Sequence, residues 1–170
     1  PLLTLIACPS NEAKVAGTAK QELVERHHIR KKWWTQLLSN SKAKSHQHIS
    51  PNTRQYICAS SGYRGLDFNY LVGQNNCGSE LYIDRGKDSQ DENKMIFDKL
   101  KTLENTINEK VNYPIKWQRL DNKRASRIRI DLDGGYKSSE EDWATFHEIM
   151  IDAMNQLEAA IKPELKKLKI

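Results

Sequence analysis

The sequence is short of cysteine and has neither a long apolar run nor a leader pattern. Its three cysteines, Cys8, Cys58 and Cys77, show no CxxC or Cys/His ligand spacing, which argues against both a disulfide scaffold and a zinc site. No stretch approaches the ~20 consecutive apolar residues that a membrane-spanning helix needs, and no signal peptide opens the chain. These absences predict a cytoplasmic protein with no membrane partner and no metal site.

The 170 residues are enough for one domain with a hydrophobic core. Hydrophobic residues make up 38% of the chain and charged residues 29%, a balance that is too apolar for a disordered protein. The chain opens without Met, on an apolar, strand-like run over residues 1–7. We therefore predict that residues 1–17 are a linker or the last strand of a truncated upstream module, and that residues 18–170 form the domain.

The net charge of +5 is concentrated at the two ends of the chain. Residues 1–44 contain eight Lys and Arg against three Glu, and residues 162–170 contain four Lys against one Glu. The middle, residues 45–161, contains 15 Lys and Arg against 18 Asp and Glu. A basic end can attract phosphate, although a solvated helix face has the same composition.

Hydrophobic periodicity predicts an α+β fold. Ser89 with Glu92 is typical of a capping box, Ser138 and Ser139 are predicted caps of the last helix, and Pro163 is expected to kink or end that helix. The order α-βββ-α-ββ-α predicts a single antiparallel sheet of about five strands with helices packed on it. The helical patterns cover residues 18–39, 89–113 and 143–161, and the strand patterns cover residues 55–60, 66–72, 79–84, 115–120 and 126–132.

The first predicted helix mixes cations with aromatic residues. Phosphate contacts use Lys and Arg, and bases stack on aromatic rings, so Arg30, Lys31 and Lys32 are candidate nucleic-acid-binding residues. Trp33 and Trp34 are adjacent and therefore point about 100° apart on a helix. We expect both tryptophans to lie in the core rather than on a binding surface.

A second basic cluster lies on the predicted hairpin between the last two strands. Two interpretations of this cluster are open. In the favoured one, its arginines pair with carboxylates of the segment from Glu80 to Asp84; in the other, Lys123, Arg124 and Arg127 contact phosphate. The candidate nucleic-acid-binding residues of the cluster are Arg119, Lys123, Arg124, Arg127 and Arg129.

The patterns of known catalytic sites are missing. The sequence has no Ser–His–acid pattern, no glycine-rich phosphate loop and no reactive-cysteine context. The PD-(D/E)xK pattern of metal-dependent nucleases needs a Lys two positions after an acidic residue, and the segments that begin at Glu80 and Asp131 both lack it. We predict no catalytic residue in this chain, and a metal-dependent nuclease built on Glu80, Asp84 and Asp131 is the last alternative.

Six segments of the sequence recur together in order. They are HIRKKWWTQL (28–37), GLDFNY (65–70), ELYIDRG (80–86), NKMIFD (93–98), WQRLDNKRASRI (117–128) and MIDAM (150–154). With these segments the chain resembles one bacterial domain of unknown function, over residues 26–165. Domains of this kind typically lie C-terminal to a PD-(D/E)xK nuclease-like module, so the resemblance implies nucleic-acid metabolism or defence against foreign DNA. It implies no cofactor for this chain, and Mg²⁺ only for an upstream nuclease module.

Together these observations predict a non-catalytic, C-terminal domain of a nuclease-like bacterial protein that binds or targets nucleic acid, with DNA favoured over RNA. The alternative from another class is a protein-interaction module that forms a homodimer or docks a partner through exposed helix faces.

Overall fold

The chain combines two long helices with a sheet of short antiparallel strands. A computed structural model describes residues 11–168. The helices are α1 (Asn11–Ser39), α2 (Gln90–Lys101), α3 (Glu104–Asn108) and α4 (Trp143–Lys167), and a 3-10 turn covers Lys44–His46. The strands are β1 (Tyr56–Tyr63), β2 (Leu66–Val72), β3 (Asn76–Ile83), β4 (Lys116–Gln118) and β5 (Ser126–Asp133).

The five strands form one antiparallel sheet in the order β1-β2-β3-β5-β4. Side chains alternate between the two faces of a strand, so Phe68, Leu81 and Ile128, which are in direct register, share one buried face. Helix α4 lies across this face, where the Ser79 hydroxyl donates a hydrogen bond of 3.1 Å to the carbonyl oxygen of Met150. The hydrophobic core therefore lies between the sheet and the helices.

The opposite face of the sheet is polar. Asn69, Glu80, Arg129 and Lys116 follow one another in register across β2, β3, β5 and β4. Arg127 lies on the same face, two residues before Arg129 on β5. The register thus places the basic residues of β5 beside an acidic residue of the neighbouring strand.

The core side of α1 is built from aromatic residues. Trp33 and Trp34 are both fully buried, and the ring of Trp33 lies 5.1 Å from that of Trp143 on α4. The expectation that both tryptophans belong to the core is confirmed, because the buried side of α1 is wide enough to include two adjacent positions. Within residues 11–168, none of the helices combines the length and the apolar character that crossing a membrane requires.

The predicted α+β class and the order of its elements are confirmed, with two differences. Helix α1 begins at Asn11, seven residues before the predicted start, in a segment rich in the helix formers Ala, Glu and Lys. The helix predicted over residues 89–113 is divided at Thr102 and Leu103 into α2 and α3, and this break redirects the chain while Ile107 stays buried. The strand pattern over residues 1–7 lies outside the described residues.

The predicted helix ends are partly wrong. Ser89 directly precedes α2, but its side chain makes no capping bond and donates instead to the Lys87 carbonyl at 3.4 Å. Helix α4 begins at Trp143 without a side-chain cap, since the hydroxyl of Ser138 accepts from the backbone N–H of Gly135. Helix α4 also continues through Pro163, because Glu164 in its last turn is buried and anchors that turn.

Candidate nucleic-acid interface

The loop that joins β4 to β5 is held in place by one buried lysine on α2. The Nζ atom of Lys94 lies 2.6 Å from the carbonyl oxygen of Arg119, 3.0 Å from that of Leu120 and 2.7 Å from that of Ala125. A fourth acceptor, the hydroxyl of Ser126, lies 3.0 Å away. Burial lowers the pKa of Lys94, yet the four oxygens satisfy its ammonium group.

The neighbour of Lys94 on α2 ties the same loop to the end of β3. The side-chain amide of Asn93 donates to the carbonyl oxygen of Arg124 at 3.2 Å, and its oxygen accepts from the backbone N–H of Arg85 at 2.9 Å. Leu120 has a left-handed φ of 56°, a strained conformation for a residue with a branched side chain. The conformation of the loop, and hence the position of its arginines, is therefore determined by α2.

Two arginines of the loop form bidentate pairs with carboxylates. Arg119 donates to both oxygens of Asp98, at 2.9 and 3.1 Å, and Arg124 donates to both oxygens of Asp84, at 2.7 Å each. The hydrogen bonds from these arginines lower the pKa of Asp98 and of Asp84. Arg119 also pairs with Asp121. Both guanidinium groups are thus already matched to anionic partners in the protein.

The two arginines of β5 are also close to carboxylates. The Nη1 atom of Arg127 lies 3.9 Å from Glu80, and the Nε atom of Arg129 donates to Asp131. Glu80 is only 3% exposed, and its burial raises its pKa against the opposing effects of the Asn69 hydrogen bond and the two arginines. The favoured interpretation of the hairpin is thus confirmed for Arg127 with Glu80 and for Arg124 with Asp84, whereas Arg129 pairs within its own strand and Arg119 pairs outside the segment from Glu80 to Asp84.

Lys123 is the exception in the hairpin cluster. It is exposed at the loop, and no carboxylate lies within 4 Å of its ammonium group in residues 11–168. Of the five candidate residues on the hairpin, it alone has a charge free of a protein counter-charge among the described residues. A phosphate could therefore approach Lys123 without breaking an ion pair.

The three candidate residues of α1 have three different environments. Arg30 is buried, with its guanidinium 5.3 Å from the ring centroid of Tyr136 and 3.5 Å from the carbonyl oxygen of Thr53. Lys32 forms an ion pair with Glu140. Lys31 is exposed and has no carboxylate within 4 Å among the described residues. The structure therefore does not bring the three together on one surface.

Lys31 lies in a stretch of the sequence that has no acidic residue and that extends well beyond the candidate residues. Residues 26–66, which we call the acid-free segment, contain no Asp or Glu and eight Lys and Arg. Only Lys32 among these eight pairs with a carboxylate in the described part of the chain. The motifs of the sequence did not indicate Arg26, Lys42 and Lys44 as candidate phosphate contacts. A count of the acidic residues along the chain would have found them.

The acid-free segment is continuous in space around the second half of α1. The indole Nε1 of Trp34 donates to the carbonyl oxygen of Arg54 at 2.9 Å, and Arg30 reaches Thr53, so the loop before β1 packs on this helix. The 3-10 turn at Lys44 also contacts β1. The second half of α1, the loop before β1 and the 3-10 turn are therefore neighbours in the fold.

The three acidic residues considered for a metal-dependent nuclease are not brought together. Asp84 pairs with Arg124, Asp131 pairs with Lys116 at 2.7 Å, and Glu80 accepts from Asn69 at 3.2 Å. In the part of the chain that the structure describes, no group of three or more His, Cys, Asp or Glu side chains is placed to hold a metal ion.

Comparison with known proteins gives one match. The model of a family described as "Domain of unknown function (DUF4268)" matches residues 29–165. No curated protein and no solved structure is significantly similar to the chain. The match covers all the strands and begins in the middle of α1.

Proposed function

The chain belongs to the family Domain of unknown function (DUF4268), and since that description assigns no activity, we propose a function from the charges themselves. We propose that the domain binds the phosphate backbone of nucleic acid through the acid-free segment, with Lys31, Lys42 and Lys44 as principal contacts. Lys123 of the hairpin loop adds a further contact. The observation that supports this most strongly is the run of 41 residues, 26–66, without one carboxylate.

The unpaired cations matter because they keep their full attraction for phosphate. A guanidinium that already binds a carboxylate must give up that partner, or share it, before it contacts a phosphate. Lys20 and Lys31 are eleven residues apart on α1, about three turns, so they project from the same side of the helix roughly 16 Å apart. A helix with cations along one exposed side can follow a phosphate backbone.

The paired arginines of the hairpin have a different role in this proposal. Arg119, Arg124, Arg127 and Arg129 hold the loop and the polar face of the sheet in shape, and Lys123 is presented by that loop. The nucleic-acid partner we propose is DNA rather than RNA, because the resemblance of the sequence is to domains that accompany nuclease-like modules. In the same proposal, the protein is bacterial and the domain is the non-catalytic, targeting part of a longer nuclease-like protein.

Fluorescence anisotropy tests this function directly. We expect the domain to bind labelled duplex DNA saturably at low salt, to bind single-stranded DNA and RNA of equal length less tightly, and to release each ligand as salt rises. The absence of binding to all three ligands at low salt would contradict the proposal. Tighter binding to RNA than to duplex DNA would contradict its DNA part alone.

A second candidate function, homodimerisation, is favoured by the exposed first half of α1. Val15 is 69% exposed, Val24 61% and Leu23 46%, although all three are large apolar residues. Val15, Ala19 and Leu23 follow at intervals of four and continue the stripe of α1 that buries Trp33 further along. A second copy of the chain that packs on this stripe would cover it.

Light scattering over a range of concentrations tests dimerisation. The expected result is a mass that rises with concentration in the natural protein and stays monomeric in Leu23→Lys, with Gln21→Lys on the opposite side of the helix as the matched control. A monomeric mass for the natural protein at ~0.2 mM, far above a micromolar dissociation constant, would exclude a dimer of ordinary strength.

A further inference from the structure

Arg30 carries a buried charge that the protein does not neutralise. Its side chain is only 7% exposed, and no carboxylate lies within 4 Å of it among the described residues. A guanidinium has five N–H donors, but among the described residues the only acceptor that Arg30 reaches is the carbonyl oxygen of Thr53, at 3.5 Å. Its Nε atom is buried and has no hydrogen-bond partner in that part of the chain. Buried charges in proteins are normally paired, so this arrangement is unusual.

The aromatic ring that Arg30 contacts belongs to a residue that lines a cavity. The guanidinium covers the ring of Tyr136, and Tyr136 lines a cavity of about 440 Å³ between α1 and the loops that follow β2 and β5. This volume is within the range of small-ligand sites. Arg26, one helical turn before Arg30, also lines the cavity, and so does Lys137.

The polar groups of the cavity suit a small anion. Arg26 and Lys137 provide two cations without a carboxylate partner within 4 Å in the described structure, and Arg30, which does not line the cavity, lies one helical turn beyond Arg26. The hydroxyl of Ser138 accepts from Gly135, so its own proton is available to a ligand oxygen. A phosphate group accepts hydrogen bonds from all of these donors.

Two acidic residues, Glu22 and Glu25, line the same cavity and oppose an anion. Both belong to the wall that α1 forms, Glu22 one helical turn before Arg26 and Glu25 next to it. The loop that follows β5 contributes Tyr136, Lys137 and Ser138 to the facing wall and no carboxylate. The favourable position for an anion is therefore against this loop, beside Lys137 and Ser138.

We propose that this cavity binds a phosphomonoester, with Arg26 and Lys137 in contact with the phosphate and Arg30 as the buried counter-charge behind Tyr136. Two sources share this chemistry, a free mononucleotide or phosphate and the terminal phosphate of a nucleic-acid strand. The proposal goes beyond backbone binding by the acid-free segment, because it concerns a cavity that holds a single phosphate group.

Thermal unfolding in the presence of inorganic phosphate, against chloride at equal ionic strength, tests the site without any nucleic acid. We expect phosphate to raise the melting temperature saturably, and Lys137→Gln to weaken the apparent affinity about tenfold, as loss of one charge-assisted hydrogen bond predicts. Lys87→Gln, an exposed lysine on a different loop, is the matched control and should leave the affinity unchanged. An equal shift in chloride, or equal affinities for Lys137→Gln and the control, would overturn the proposal.

Arg30→Met separates a ligand site from a structural arginine. Because the variant removes a buried charge that has no partner, we expect the free protein to be as stable as the natural one or more stable, while the phosphate effect is lost. Glu22→Gln should strengthen phosphate binding, since a nearby repulsion is removed. If Arg30→Met unfolds the domain, Glu22→Gln and Lys137→Gln still decide the matter. An Arg30→Met protein that keeps its phosphate response would refute the role of Arg30.

A comparison of oligonucleotides identifies the source of the phosphate. If the site accepts a strand end, a 5′-phosphorylated oligonucleotide should bind more tightly than its 5′-hydroxyl counterpart, and Lys137→Gln should abolish the difference. If the site accepts a free ligand, a nucleoside monophosphate should stabilise the protein and the two oligonucleotides should bind equally. The site is overturned if neither inorganic phosphate nor the nucleoside monophosphate stabilises the protein and the two oligonucleotides bind equally. Binding of the 5′-hydroxyl strand by itself measures backbone binding alone.

Discussion

At the scale of single residues, Lys94 determines the shape of the loop that carries the hairpin arginines. It is a lysine on the core side of α2, and its ammonium group replaces the backbone hydrogen bonds that the β4–β5 loop cannot make for itself. Periodicity in the sequence assigns such a position to an apolar side chain, so the role of Lys94 could not be predicted. Its acceptors are 25 to 32 residues further along the chain, and only the folded structure brings them together.

Lys94→Met should destabilise the domain by about 3 kcal/mol, because three buried carbonyl oxygens and one hydroxyl lose their common donor. Urea unfolding of the variant and of the natural protein measures this difference. Lys99→Met, an exposed position on the same helix, is the control and should change the free energy of unfolding by less than about 0.5 kcal/mol. A loss below about 1 kcal/mol for Lys94→Met would mean that the loop does not depend on it.

Two buried histidines make stability depend on pH. Burial lowers the pKa of His46 and of His147 to about 4, from 6.5. His46 donates to the carbonyl oxygen of Phe68 at 2.9 Å. His147 packs against Trp33, and neither of its ring nitrogens has a hydrogen-bond partner among the residues that the structure describes. The unfolded chain binds these protons more readily than the folded protein. The contribution of the two histidines to the free energy of unfolding is therefore fully present above about pH 6.5 and is lost as the pH falls toward 4.

Unfolding in urea at several pH values between 7 and 4.5 should show this loss, on the order of 3 kcal/mol per histidine at its limit. His147→Leu should flatten the decline, since the variant has one fewer buried base, and Met95→Leu, an exposed position without a titratable group, should leave the profile unchanged. If the free energies of unfolding of the natural protein and of His147→Leu decreased in parallel as the pH fell, the role of His147 in the pH dependence would be contradicted.

At the scale of elements, the alternation of side chains allowed β2 and β5 to be predicted closely. Ile128 and Ile130 face the core while Arg127 and Arg129 face the polar side, as the sequence pattern indicates. Helix ends were harder to predict, because tertiary contacts decide them. Ser89 and Glu92 fit a capping box, yet Glu92 pairs with Arg85 at 2.6 Å and the capping bond does not form.

Pro163 shows the same competition between local propensity and tertiary contacts, here within one helix. A proline inside a helix removes one backbone hydrogen bond and crowds the preceding turn. Helix α4 nevertheless continues to Lys167, because Leu165 is fully buried and Glu164 bridges Lys110 and Lys167 at 3.4 and 2.9 Å. The low helix propensity of Pro163 is thus outweighed by the packing and ion pairs of the last turn of α4.

Pro163→Ala should therefore raise the free energy of unfolding by about 1 kcal/mol or more, since the missing N–H returns and the exposed position needs no repacking. Thermal and urea unfolding measure the change, with Ala159→Ser one turn earlier as a control that lowers helix propensity only slightly. A less stable Pro163→Ala protein would show that the proline fits a bend on which the packing of Leu165 depends.

At the scale of the whole molecule, the distribution of charge separates two kinds of basic residue. The hairpin arginines are balanced by carboxylates of β3, α2 and the hairpin itself, whereas in the acid-free segment only Lys32 has a carboxylate within 4 Å among the described residues. Both groups contribute equally to a net charge, so the sequence total could not distinguish them. Ion pairs between distant residues, such as Asp84 with Arg124, depend on the register of the sheet and appear only in the folded chain.

The salt dependence of DNA binding, compared between variants, tests this distinction most directly. For duplex DNA, each phosphate contact contributes a slope of about 0.9 to the fall of log affinity with log salt concentration. We predict that Lys31→Gln with Lys44→Gln lowers the slope by up to about 1.8, whereas Lys87→Gln with Lys99→Gln, equally exposed lysines outside the acid-free segment, leaves it unchanged. Equal slopes for the two double variants, or no binding by the natural protein at low salt, would contradict the account.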